Sequence, residues 1–231
     1  QGCRGVAFTY NDPAIFAEYA LDVAAACHAE GVKTVAVTAG YIQGAARQDF
    51  FAAMDAANVD LKAFSERFYK DLCQAALAPV LETLEYLHRE TKVWLEITTL
   101  LIPGQNDSPE EIQAMTRWIA DHLGVNVPLH FSAFHPDYRM TDLPPTSAAI
   151  LFQARDIARA NGLRYVYTGN IPDPAGSRTL CHHCGQVLIG RAGFRITDYH
   201  LNQDRCPNCG TVCAGYFDPA PWQAGGQRGP D

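Results

Sequence analysis

Gly5-Val-Ala-Phe-Thr-Tyr-Asn-Asp-Pro-Ala-Ile-Phe16 opens a segment that closes, after a long periodic run, on Gly31-Val-Lys-Thr-Val-Ala-Val-Thr38. Residues 5–9 are short and apolar, as a buried strand is. Ile15, Phe16, Tyr19, Ala20, Val23, Ala26 and Cys27 then recur at helical spacing. Asn11 or Asp12 suits the cap of that helix, Pro13 its first turn and Gly31 its end. Residues 32–38 are rich in β-branched side chains and read as a second buried strand.

The alternation continues: helix over 47–55, strand over 58–62, helix over 75–89 and strand over 92–102. Ser108-Pro-Glu-Glu111 opens the next helix, in outline a capping box with Ser108 as cap and Glu111 three residues on. A strand over 128–134, a helix over about 146–161 and a strand over 163–168 follow. Strands alternating with amphipathic helices mean a parallel sheet with helices outside it. No Gly-x-Gly-x-x-Gly follows the first strand, which weighs against a doubly wound dinucleotide fold. The expectation is an α/β chain whose residues 1–170 form a partial barrel. Ile171-Pro-Asp-Pro-Ala-Gly-Ser177 then marks a linker over 171–178. A cysteine module follows over 179–217, and a Pro/Gly-rich, flexible tail over 218–231.

The chain has 231 residues, 18 Lys+Arg against 25 Asp+Glu, and a net charge of −7. That length holds a full core. A hydrophobic content of 48% with 19% charged residues excludes global disorder. The acidic balance argues against nucleic acid or an anionic membrane as partner. No apolar run approaches the roughly 18 residues of a membrane span. With no secretory signal and scattered single cysteines, a reducing cytoplasm is expected.

The eight cysteines are unevenly placed: Cys181, Cys184, Cys206, Cys209 and Cys213 crowd near the end. Cys181-His-His-Cys184-Gly185 and Cys206-Pro-Asn-Cys209-Gly210 are two Cys-x2-Cys-Gly knuckles. Two residues between thiolates let both sulfurs reach one ion, and the glycine permits the tight turn. Four thiolates suit a zinc ribbon, with iron possible on the same ligands. Residues 185–201 read as the hairpin between the knuckles. His182 and His183 read as exposed, and Cys213 has no assigned role.

In parallel α/β folds the chemistry collects at the C-terminal ends of strands. There this sequence places Asn11 and Asp12, Thr38 and Gly40, Asp60 and Lys62, Gln105-Asn106-Asp107, His135 and Asp137, and Gly169-Asn170. Each has an ordinary reading alone: a cap, a loop exit, a solvated ion pair, a structural histidine. Convergence of such polar clusters on one rim is what a site looks like. Glu96 lies mid-strand, where a barrel interior holds it only if paired.

The ordered set resembles radical S-adenosylmethionine (SAM) enzymes of the pyruvate formate-lyase activating type, most closely the AmmeMemoRadiSam-system branch. It is carried by residues 5–16, Val37-Thr-Ala-Gly-Tyr41, Val59-Asp-Leu-Lys-Ala-Phe64, Leu101-Ile-Pro-Gly-Gln-Asn-Asp107, His130-Phe-Ser-Ala-Phe-His-Pro-Asp-Tyr-Arg-Met140 and the knuckle pair. The resemblance implies a partial (β/α)6, TIM-like barrel over 1–170 with SAM and a [4Fe–4S] cluster at its mouth, and a 5′-deoxyadenosyl radical that abstracts hydrogen. Flavodoxin or ferredoxin would be the reductant. The substrate is not named; a protein encoded nearby is one option. Asn11 and Asp12 would stand in the place of the motif that receives the SAM amino group. Thr38 and Gly40 match the second-strand motif, with Ala39 replacing an asparagine. Asp60 and Lys62 match Asp-Leu-Lys, Lys62 meeting a carboxylate. His135 would lie near the adenosyl or substrate end and is the candidate catalytic residue.

The family's Cys-x3-Cys-x2-Cys occurs nowhere in residues 1–231, and Cys3 alone cannot replace it. The expectation is a C-terminal portion lacking the first strand and the cluster loop, inactive as it stands. The competing reading is a cluster-less, non-catalytic α/β and zinc-ribbon module that docks a protein. A hydrolytic metal barrel lacks its His-x-His or carboxylate set.

Overall fold

The computed structural model describes residues 3–193 and 195–217. The chain forms two compact units, Gln1–Ile171 and Pro172–Asp231. The expected tail over 218–231 lies outside the described residues.

In the first unit β1 (Gly5–Phe8), α1 (Ala17–Ala29), β2 (Lys33–Thr38), α2 (Gly44–Ala52), β3 (Ala56–Asp60) and α3 (Glu66–Phe68) are followed by α4 (Ala78–Glu90), β4 (Trp94–Leu101), α5 (Pro109–Leu123), β5 (Leu129–Ala133), α6 (Ala148–Ala160) and β6 (Val166–Gly169). The six strands are parallel and ordered β1-β2-β3-β4-β5-β6. Because the order never reverses, right-handed crossovers carry every helix to the same face. A doubly wound sheet reverses its order at a switch point, and this one does not.

The strands carry this asymmetry in their side chains. Thr34, Ala36, Ala57, Val59, Ile97, Leu129 and Phe131 are buried on the helix-facing side. Their neighbours Val35, Asn58, Glu96, Thr98 and His130 are only half-buried on the opposite face. The helices supply matching stripes: Val80, Thr83, Leu84 and Leu87 on α4, and Ile112, Met115, Thr116, Ile119 and Leu123 on α5. These i, i+3, i+4, i+7 spacings put each set on one side of its helix.

Several boundaries differ from expectation for local reasons. A 3-10 turn, Pro13–Phe16, precedes α1, and Asp12 caps it. The strand expected over 58–62 begins at Ala56, because the Asp55 N–H already donates to the Thr34 carbonyl at 2.9 Å. The segment after Asp60 forms α3 and a π-helical turn, Tyr69–Cys73, too short for periodicity to announce. Ser108 does cap α5, accepting from the Glu111 N–H at 3.2 Å. Glu111 does not complete a capping box, since its Oε1 accepts from the Phe64 N–H at 2.7 Å.

At the N-terminal end of the sheet Asp55 ties β2 to β3. It accepts from Lys33 Nζ at 2.7 Å, the Thr34 N–H at 2.9 Å and His28 Nε2 at 3.0 Å. Burial works to raise this carboxyl, but the hydrogen bonds from Lys33, Thr34 and His28 outweigh it and hold it at about 2. Its folded value lies below its unfolded one. The linked stability is therefore full above about pH 4 and lost as pH falls toward 2. Asp55→Asn should flatten the acid limb of the stability–pH curve by about 1 kcal/mol. Parallel limbs in denaturation from pH 2 to 6 would refute this.

The second unit holds β7 (Thr179–Leu180), β8 (Val187–Ala192) and β9 (Arg195–Tyr199) in an antiparallel sheet of order β7-β8-β9. The β8–β9 hairpin separates the two knuckles, as their spacing requires.

Candidate functional site

The C-terminal strand ends bring most of the expected polar residues to one edge of the sheet. After β1 the chain turns through Tyr10 at φ 72, a left-handed conformation that is costly for a bulky side chain. Asn11 is exposed. The Asp12 carboxylate is engaged in a cross-strand tie. Oδ1 accepts from the Ala14 N–H at 3.0 Å and from Thr38 Oγ1 at 2.8 Å, and Oδ2 from the Ala39 N–H at 2.7 Å. Three of roughly four acceptor positions are thus taken within the chain. Thr38 in turn accepts from the Gly40 N–H at 3.1 Å. Gly40 has φ +67, and a Cβ there would stand 2.8 Å from Val59 Cγ1. Only glycine fits that exit.

At the end of β3, Lys62 Nζ donates to Asp60 Oδ2 at 2.9 Å, both side chains part-exposed. His135 is exposed beyond β5. It lines a cleft of about 630 Å³ with Leu100, Phe134, Tyr138, Arg139 and Asn170.

Sequence reasoning missed the row that runs between these two places. Asp60, Thr98, His130 and Tyr167 are register partners across β3, β4, β5 and β6. Three strand spacings make this polar belt roughly 14 Å long. Thr98 Oγ1 donates to Asn58 Oδ1 at 2.8 Å, and the His130 ring stacks on Tyr167 at 5.0 Å. Glu96 is paired, as its position demands: its Oε2 accepts from His130 Nε2 at 2.7 Å and its Oε1 from Trp94 Nε1 at 3.0 Å. A carboxylate accepting from Nε2 places the ring proton there and fixes the tautomer. The available signal was period-two spacing: Glu96 and Thr98 alternate with Leu95, Ile97 and Thr99.

In the second unit the Sγ atoms of Cys181, Cys184, Cys206 and Cys209 lie within 4.8 Å of one another. Cys181 and Cys209 approach to 3.5 Å, Cys184 and Cys206 to 3.7 Å. A tetrahedral ion with metal–sulfur bonds of about 2.3 Å needs sulfurs about 3.8 Å apart. The four thiols therefore fit one ion. The knuckles are alike: the Gly185 N–H donates to the Cys181 carbonyl and the Gly210 N–H to the Cys206 carbonyl, both at 2.9 Å. Hydrogen bonds from the Asn208 side chain and the Gln186 N–H bring the Cys184 thiol down to about 6. Such donors favour the thiolate a metal requires. Cys213 is buried outside the group, and His182 and His183 are exposed.

A singly wound parallel sheet with its polar groups at the C-terminal rim agrees with the family that the motifs resemble. The chain belongs to the radical SAM superfamily, whose family model matches residues 1–119. It is 39% identical over 211 residues to an uncharacterized protein of Methanocaldococcus jannaschii, covering 90% of this chain and 62% of that protein. It is 30% identical over 133 residues to the benzylsuccinate synthase activating enzyme of Thauera aromatica, covering 57% of this chain and 40% of that enzyme. The chain thus spans less than two thirds of the length of either relative. Its fold is similar to the crystal structure of a domain of pyruvate-formate lyase-activating enzyme from Bacteroides vulgatus. The TM-score is 0.63 at 18% identity, over 72% of this chain and 99% of that domain.

Membership implies SAM and an iron–sulfur cluster. The rim's groups suit SAM: the Lys62 cation and the neighbouring Asp60 carboxylate, both part-exposed. The cluster does not fit the residues present. Cys3 is exposed ahead of β1, Cys27 lies on α1 and Cys73 in the π-helical turn. Among the described residues no three cysteines meet except in the four-sulfur group, whose sulfurs suit one ion between them.

Proposed function

We propose that this chain is the larger part of a radical SAM enzyme of the activating, AmmeMemoRadiSam-like kind. The whole enzyme would cleave SAM reductively to a 5′-deoxyadenosyl radical that takes hydrogen from a substrate. The cluster ligands would come from polypeptide outside residues 1–231, and the reductant would be a flavodoxin or ferredoxin in the cytoplasm. The Asp60–Lys62 pair at the head of the polar belt carries this reading. Lys62 would meet the SAM carboxylate, Thr38 and Gly40 would shape the approach beside Asn11, and Asp12 would hold that rim together. His135, in its cleft, would face the substrate end, and the belt would receive the substrate's polar groups. The four-cysteine module would hold Zn²⁺, with iron as the alternative.

Titration of the chain with SAM by calorimetry tests the reading. Lys62→Ala should weaken binding about 10- to 100-fold, the value of one charge-assisted hydrogen bond. Equal affinity for wild type and variant would sink it. The absence of Cys-x3-Cys-x2-Cys from the sequence favours a second reading, a non-catalytic docking module. That reading expects no SAM binding and no effect of Asp60→Ala or Lys62→Ala.

A further inference from the structure

The backbone that carries Lys62 is irregular and buried, yet its polar groups are satisfied from outside it. Leu61 and Ala63 on either side are 0% and 1% exposed. A buried backbone without a ladder must find side-chain partners. Thr99 Oγ1 donates to the Leu61 carbonyl at 2.7 Å, and the Lys62 N–H donates to the Tyr69 hydroxyl at 3.2 Å. The Phe64 N–H reaches Glu111, as described above. The Lys62 carbonyl accepts from Asn106 Nδ2 at 2.6 Å.

Asn106 is the centre of this arrangement. It is 3% exposed, and its amide also donates to the Leu100 carbonyl at 2.9 Å while its Oδ1 accepts from the Ile102 N–H at 2.7 Å. All three contacts are to backbone, on two segments 40 residues apart in sequence, one at the exit of β3 and one at the exit of β4. Two donors and one acceptor on one short planar group is what a primary amide offers. An aspartate has the same shape but would set oxygen against two carbonyl oxygens.

We propose that Asn106 is a positioning residue for the SAM carboxylate. It rivets the β3 exit to the β4 exit, so that the Lys62 ammonium is presented from a fixed backbone. The inference rests on the reading of Lys62 as the carboxylate contact. A flexible four-carbon side chain gains most from a backbone that does not move.

A double-mutant cycle in the full chain tests it, with SAM as the titrant and Asn106→Asp and Lys62→Ala as the substitutions. Asn106→Asp should weaken binding about tenfold in the wild-type background and leave the Lys62→Ala background unchanged. Equal losses in both backgrounds, or none in either, would overturn the proposal. If Lys62→Ala alone has no effect, the reading of Lys62 fails instead. Hydrogen exchange on the SAM-free proteins is the second readout and does not depend on binding. In Asn106→Asp the Lys62 and Phe64 amides should exchange at least tenfold faster, with the Ile97 amide unchanged. Uniform acceleration through the sheet would mean general destabilisation and also count against it. Should Asn106→Asp fail to fold, Tyr69→Phe, which removes the acceptor for the Lys62 N–H, takes its place under the same criteria.

Discussion

Cys206→Ser is expected to abolish metal binding and unfold the β7–β9 module. Metal content should fall from about one ion per chain to near zero. Cys206 is buried at 1% exposure and its sulfur stands 3.7 Å from that of Cys184. Burial pushes its thiol up to about 11, a tendency that a bound ion would reverse by holding the thiolate. The module has little else to hold it. Leu188, Ile189 and Leu201 are its buried aliphatic residues among those described. A unit this small rarely stands on such a core, whereas a structural zinc contributes about 10–16 kcal/mol in comparable peptides. Elemental analysis and the amide spectrum of residues 179–213 read the result. Cys213→Ser, outside the sulfur group, should keep the metal. A folded, metal-loaded Cys206→Ser protein would show that the four sulfurs are not the ligand set. The ion found, zinc or iron, settles the identity that four thiolates leave open.

The second large effect separates two neighbours on β5. Phe131 is 0% exposed on the helix-facing side, while His130 sits half-buried on the opposite face. Phe131→Ala should cost about 3–5 kcal/mol of stability, the transfer of a large ring plus the cavity it leaves. His130→Ala removes a hydrogen bond to Glu96 and a stack on Tyr167 and should cost about 1–2 kcal/mol. Urea denaturation of both variants measures the contrast. Equal losses would mean that the polar belt is as buried as the core and has no open face for a substrate. A conservative change, Glu96→Gln, keeps an acceptor for His130 Nε2 and should stay close to wild type.

The parallel sheet was legible because its signal is local and repeated. Each strand is a short apolar run, each helix shows a stripe, and six such alternations leave few topologies. The metal group was legible because ligand spacing in a knuckle is itself local: two residues between cysteines and a glycine after them. The rim was legible in part, since Asp60 and Lys62 sit two apart on one strand end. The belt was not. Thr98, His130 and Tyr167 each look like ordinary strand residues, and only register aligns them. Glu111 shows the same limit from the other side. It satisfies the capping-box pattern, yet its carboxylate serves the part-buried Phe64 N–H, which has no ladder partner of its own.

By itself the sequence determined the α/β alternation, the order of the rim motifs, the two knuckles and the family they resemble. These depend on periodicity and spacing, which a one-dimensional string contains. The tertiary structure alone decided that Asp12 ties β1 to β2, that Glu96 pairs with His130, and that Asn106 holds the backbone of Lys62 from 44 positions away. Those contacts arise when parallel strands take a register and a buried backbone must find its hydrogen bonds. Neither requirement can be met until the sheet exists.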